Sequence, residues 1–262
     1  MVTQGYRQNG RSGPETAARS SLLVGTAGWA LPRGVAHRFP GEGTHLTRYA
    51  QVLTAVEINS SFHRPHRRQT YAKWAASVPE DFRFSVKLPK AITHRHKLVD
   101  AQALLQAFLE DAAGLGARLG CLLVQLPPSL VFVSSEVDAF FGALRERYDG
   151  DVAVEPRNAS WFAGHCAQRL EQHRLARVAA DPARVLEAAV PAGWTRCAYW
   201  RLHGSPRTYY SAYSDADLDR VARAMLATGR QAKALWCIFD NTTLGAATEN
   251  ALALQSRLDG AI

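Results

Sequence analysis

Three polar pairs interrupt otherwise apolar runs: Glu57 with Asn59 in "AVEIN", Glu155 with Arg157 in "VAVEPR", and Arg201 with His203 in "YWRLHG". The members of each pair are two residues apart, and on a β-strand that spacing puts both side chains on one face. A carboxylate raised by burial, or a histidine, moves protons near neutral pH, while a neighbouring Arg or Lys holds an anion or a developing oxyanion. Glu57, Glu155 and His203 are therefore the candidate acid/base residues, with Lys87 next. Asn59, Lys87, Gln125, Arg157, Arg201, Tyr210, Asp240 and Asn241 form the candidate substrate-binding set. Glu155, Asp181, His203 and Asp240 could also ligate a divalent metal. Lys87, Arg157 and Arg201 nearly balance the carboxylates Glu57, Glu155, Asp181 and Asp240, so no metal is needed for charge and no cofactor is expected.

Those residues need a scaffold that brings them together. Eight short β-branched or apolar runs recur, at 22–28, 55–59, 82–88, 121–126, 152–157, 176–181, 197–204 and 235–241. Helix-like patterns separate most of them, and "SDADLDRVARAML" opens with Ser214 and Asp217 at capping-box spacing. Such alternation implies a parallel sheet covered by helices, and eight units over this length imply a single (β/α)8 TIM-like barrel. The polar residues cluster at the downstream ends of the runs, which in a parallel barrel meet at one mouth, where active sites of this fold lie. Val56, Ile58, Val154, Trp200 and Leu202 should then face the helices.

Two basic stretches, "HRPHRR" (63–68) and "HRHK" (94–97), follow the second and third runs and would flank the same mouth. Arg64, His94, Trp161 and Tyr213 are expected on this rim, where cations concentrate anionic ligands and aromatic rings stack on sugars or bases. No GxGxxG or P-loop pattern supports a nucleotide cofactor.

The 262-residue chain carries a formal charge of +8, part of it from Arg7, Arg11 and Arg19 in a polar opening stretch. Residues 1–20 read as a flexible leader without the apolar core of a secretory signal, and 21–262 as one domain. No segment approaches the roughly 18 consecutive apolar residues of a membrane span. Cys121, Cys166, Cys197 and Cys237 form no CxxC pair and suit a reducing compartment, so a cytoplasmic location is expected.

"VGTAGW" (24–29), "VEINSSFHR" (56–64), "FRFSVKLP" (82–89), "ITH" (92–94), "QLPP" (125–128), "AVEPRNASWF" (153–162), "RLHG" (201–204), "YYSAYS" (209–214) and "FDNTTLGAATENAL" (239–252) appear in this order. Together they resemble the YecE-like DUF72 family over essentially the whole chain after the leader. The resemblance implies a TIM barrel, described as related to sugar isomerases, without an established reaction. The family's usual Phe-Tyr after "NS" is Phe62-His63 here, and its Phe-Arg-His after the fifth-strand Glu is Pro156-Arg157-Asn158.

The residues thus suggest an enzyme acting on a small anionic, hydroxylated molecule such as a sugar phosphate. A nucleic-acid-binding or processing protein using the basic, aromatic rim is the alternative.

Overall fold

The computed structural model describes residues 20–261; the expected leader, apart from Ser20, lies outside the described residues. Each apolar run forms a strand or part of one. The first five are β1 (Ser21–Thr26), β2 (Ala55–Ile58), β3 (Arg83–Lys87), β4 (Leu119–Gln125) and β5 (Asp151–Glu155). The sixth run is split at Val178 into β6 (Ala176–Arg177) and β7 (Ala179–Asp181). A two-residue β8 (Ala192–Gly193) precedes β9 (Cys197–Leu202) and β10 (Ala234–Phe239).

Hydrogen bonding groups these strands into a four-stranded sheet, β1-β10-β9-β7, and a six-stranded sheet, β2-β3-β4-β5-β6-β8. Every pairing is parallel except β6 with β8. The expected eight-stranded ring is therefore not one continuous ladder. The two sheets meet at the Ala27–Glu57 bridge, where the Gly28 amide donates to the Glu57 carbonyl at 2.9 Å, and at the β6/β7 break, where the Val178 amide reaches Val154 O at 2.9 Å. At the first meeting Gly25 is required: a Cβ there would stand 1.9 Å from the Ala55 carbonyl oxygen.

Seven α-helices occur among the described residues: α1 (His45–Tyr49), α2 (Arg68–Ala76), α3 (Gln102–Ala112), α4 (Ser134–Arg145), α5 (Gly164–Gln172), α6 (Asp215–Thr228) and α7 (Ala246–Asp259). Ser214 and Asp217 cap α6 reciprocally, as their spacing predicts. Between β7 and β9 no α-helix forms. Pro182 and Pro191 bracket that segment, which manages only a 3₁₀ turn at Leu186–Ala189 and the β8 return onto β6. None of the helices among the described residues is long and apolar enough to cross a membrane.

Strand faces divide as period-two alternation requires. Val56, Ile58, Val154, Trp200 and Leu202 join the large core shared with the helices. Leu23, Ala55, Cys121, Leu123, Ala153, Cys197, Tyr199, Trp236 and Ile238 form a second cluster on the opposite strand faces. Glu57, Arg201 and His203 continue those inner faces toward the strand C-termini. The four cysteines are buried free thiols.

Candidate functional site

Arg201 on β9 organises the site. Its Nε donates to Glu57 Oε2 at 2.9 Å and its Nη2 to Glu57 Oε1 at 2.7 Å, a two-point grip that matches a planar guanidinium to a planar carboxylate. The same Nη2 is 3.0 Å from Asp240 Oδ2, and Nη1 reaches Glu155 Oε2 at 3.4 Å. His203 stands 2.7 Å through Nε2 from Glu155 Oε1 and 3.0 Å through Nδ1 from Asp240 Oδ2. Arg157 Nη2 closes on Glu155 Oε1 at 2.6 Å, and Gln125 Nε2 donates to Glu155 Oε2 at 2.8 Å. Below these, the Tyr199 hydroxyl lies 3.2 Å from Glu57 Oε2 and 3.0 Å from Ser85 Oγ.

Glu57, Glu155, Arg201 and His203 are each 0% exposed. Burial alone would raise the Glu155 carboxyl, but Arg201, His203 and Arg157 outweigh it and hold the group well below the ordinary carboxylate range. Asp240 behaves likewise: burial raises it, and Arg201 and His203 bring it below its usual value. Arg201 is driven the other way, burial opposing its charge while Asp240, Glu57 and Glu155 favour it more strongly. Three carboxylates thus face Arg157, Arg201 and Lys87. Asp181, counted with them in the sequence, is instead engaged by the Tyr213 hydroxyl at 2.9 Å.

Above this network opens a cavity of about 470 Å³. It is lined by Asn59, Phe62, His63, Lys87, Lys90, His94, Gln125, Tyr209, Tyr210, Asp240, Thr242 and Thr243. Lys87, the last residue of β3, is 6% exposed and places Nζ 4.3 Å from the Phe62 ring centroid. Among the described residues no carboxylate lies within ion-pair distance, 4.0 Å, of that Nζ. Burial, reinforced by Arg201 and opposed by Glu57, Glu155 and Asp240, brings its pKa down from 10.5 to about 8. His94 packs edge-on to Phe62, with ring centroids 4.9 Å apart, and shares a 2.8 Å hydrogen bond through Nδ1 with the Thr93 hydroxyl. Burial, Lys87 and Lys90 all lower its pKa.

The expected site residues consequently fall into three groups. Asn59, Lys87, Gln125, Tyr210, Asp240 and His94 line the cavity. Glu57, Glu155, His203, Arg157 and Arg201 form the network beneath it. The others lie elsewhere. Trp161, expected on the rim, is 1% exposed in the core, donating to Leu130 O at 2.9 Å and packed against Phe132. Tyr213, also expected there, is buried with its hydroxyl on Asp181 and the Gly204 amide. Asn241 donates to Ser211 O and Asn250 Oδ1, both at 2.9 Å, and so fixes a loop. Arg64 is exposed and lies outside the cavity lining.

Tyr199 and Ser85 escaped the sequence reading, although each sits two residues before a selected one, on the same strand face. Lys90, Thr242 and Thr243 carried no such signal. Among the described residues no group of three or more His, Cys, Asp or Glu side chains is arranged to hold a metal ion.

Comparison with known proteins agrees with this architecture. The chain is 29% identical over 144 residues to UPF0759 protein YecE of Escherichia coli strain K12, covering 54% of this chain and only 50% of that relative. It is 21% identical to UPF0759 protein YunF of Bacillus subtilis strain 168, over 91% of this chain and 95% of that one. A crystal structure of a DUF72 family protein from Enterococcus faecalis superposes with a TM-score of 0.78 at 22% identity, covering 91% of this chain and 96% of that one. One from Thermotoga maritima gives 0.74 at 25% identity, covering 91% and 99%. The family model described as "Protein of unknown function DUF72" matches residues 23–261, and the chain belongs to that family.

Proposed function

We propose that this protein is an enzyme that binds a small anionic, hydroxylated molecule, of which a sugar phosphate is one example, and transfers a proton within the 470 Å³ cavity. The observation that carries this reading is Lys87: a buried amine at the cavity wall, without a carboxylate partner and with a pKa of about 8, exchanges a proton at physiological pH. Glu57, Glu155 and His203, the acid/base candidates of the sequence, set the electrostatic potential beneath the substrate. Their fixed contacts with Arg201 and Arg157 preorganise charge without reorientation during reaction.

Ligand recognition falls to the wall. Lys90 and His94 stand beside Lys87 for an anionic group. Asn59 leaves its buried Oδ1 without a donor, and such an orphan costs about 1–3 kcal/mol that a substrate hydroxyl would offset. We further propose that the two sheets are arcs of one eight-stranded barrel, joined at Ala27–Glu57 and at β6/β7, with the cavity at its C-terminal mouth. Four free thiols are consistent with a cytoplasmic location.

The test is thermal unfolding of wild type and Lys87→Met against sugar phosphates, other anionic metabolites and short oligonucleotides at two salt concentrations. A ligand that binds only the folded state raises Tm by mass action. A shift with a small anion that is lost in Lys87→Met supports the reading; equal shifts in both proteins remove it. The exposed Arg64, Arg67, Arg95 and Lys97 favour a second reading, nucleic-acid binding. A steeply salt-dependent shift with oligonucleotides alone would establish that one instead.

A further inference from the structure

The chain has 31 Lys and Arg residues, of which only five are lysines: Lys73, Lys87, Lys90, Lys97 and Lys233. Four of the five are exposed, and Lys87 alone is buried. The cations set beside the site carboxylates are arginines, the buried Arg201 and the part-buried Arg157, each held by carboxylate contacts, and the buried Arg177 is anchored by donating to the Glu187 carbonyl. Lys87 breaks that pattern. It has no carboxylate in ion-pair contact, rests its nitrogen over the face of Phe62, and lines the cavity. An amine differs from a guanidinium in one chemical respect that matters here: it releases its proton and attacks electrophilic carbon.

We infer that Lys87 is a covalent catalytic residue, forming an iminium with the carbonyl carbon of a small aldehyde or ketone that also bears an anionic group. This rests on the reading of the cavity as the substrate site and names the substrate class within it. The free amine attacks the carbonyl carbon, a C–N bond forms, and the π electrons pass to oxygen, giving a carbinolamine after proton transfer. Loss of the hydroxyl as water then leaves the iminium. Counted from the ammonium form, one carbonyl compound is taken up and one water released, with the positive charge conserved and no oxidant or reductant consumed.

The surroundings suit each stage. Burial and Arg201 favour the free amine, while Asp240, which lines the same cavity and is held ionised, favours positive charge on the Lys87 nitrogen and so the iminium. His94, its Nδ1 engaged by Thr93, has Nε2 left to pass a proton to or from the carbinolamine oxygen. Lys90 on the same wall would receive the anionic end.

Reductive trapping tests this. Wild-type protein is incubated at pH 7.5 with D-glyceraldehyde 3-phosphate and sodium cyanoborohydride, and adducts are located by peptide mass mapping. A lysine with pKa about 8 has roughly two-hundred-fold more free amine at that pH than one at 10.5, so labelling is expected first at Lys87. Excess glycerol 3-phosphate, which has the anion but no carbonyl, should suppress it. Labelling of the exposed lysines ahead of Lys87 would overturn the covalent role. If calorimetry shows glycerol 3-phosphate binding while Lys87 stays unlabelled, the covalent role falls and the anion-binding reading survives. If neither binding nor adduct is seen, both fall.

Discussion

Replacing Arg201 by Met would remove the group that Glu57, Glu155 and Asp240 share, while keeping a side chain of similar length. Removing one partner of a buried ion pair typically costs about 3–5 kcal/mol, because the opposite charge is left buried and unpaired. For a domain of this size each kcal/mol lowers Tm by roughly 2–4 °C, so a fall of roughly 6–20 °C is expected at pH 7. The pH dependence separates this cause from simple loss of packing. In wild type, Arg201 depresses the Glu155 and Asp240 pKa values, so their contribution is present above the ordinary carboxylate range and is lost as pH falls through the depressed folded values. In Arg201→Met burial is opposed only by the remaining partners, His203 with Arg157 at Glu155 and His203 with Lys87 at Asp240, so both carboxyl pKa values rise relative to wild type. A carboxyl whose folded pKa is higher in the variant than in wild type is protonated first in the variant as pH falls, and the loss of its charge relieves the missing ion pair. The stability gap between the two proteins should therefore be widest near neutral pH and narrow toward pH 4. Chemical denaturation followed by circular dichroism at pH 7, 6, 5 and 4 measures it. A gap below 1 kcal/mol at pH 7, or one that stays constant with pH, would refute the electrostatic reasoning.

Lys87→Met should act in the opposite direction, raising stability while abolishing ligand response. The displacement from 10.5 to about 8 corresponds to about 3 kcal/mol of penalty on the folded ammonium. That penalty is full below pH 8 and fades as pH rises toward 10.5, because the unfolded chain then holds the extra proton; the advantage of Lys87→Met over wild type in denaturant melts should fade over the same window. Gly25→Ala, which would put a Cβ 1.9 Å from Ala55 O, should cost about 1–3 kcal/mol or more, read from the same melts. Trp161→Ala should cost about 3–5 kcal/mol as a core deletion, yet leave anion affinity by calorimetry unchanged at temperatures where it is folded.

The inner strand faces were legible because period-two alternation is local: Glu57, Glu155, Arg201 and His203 could be placed together from spacing alone. Their roles were not. Glu57 reads as an acid/base carboxylate in the sequence, but its two oxygens are held by the Arg201 guanidinium from β9, and only tertiary structure shows which cation takes it. Lys87 ranked second for acid/base work for the mirror-image reason, since its burial under Phe62 and its distance from any carboxylate involve residues far apart in the chain. Trp161 misled because an aromatic residue after a strand suits a rim and a core equally, and the deciding Leu130 carbonyl comes from another loop. The division into two sheets was also hidden, since composition shows the sixth run as continuous while the hydrogen bonding changes sides at Val178.

The most direct check is the titration of Lys87 itself. Wild-type protein is pulse-acylated with acetic anhydride across pH 6.5 to 11, and the modification rate of Lys87 is followed by peptide mass mapping. A half-maximal rate near pH 8 is expected for the buried, unpaired amine on which the proposed chemistry depends; a midpoint near the ordinary 10.5 would contradict it.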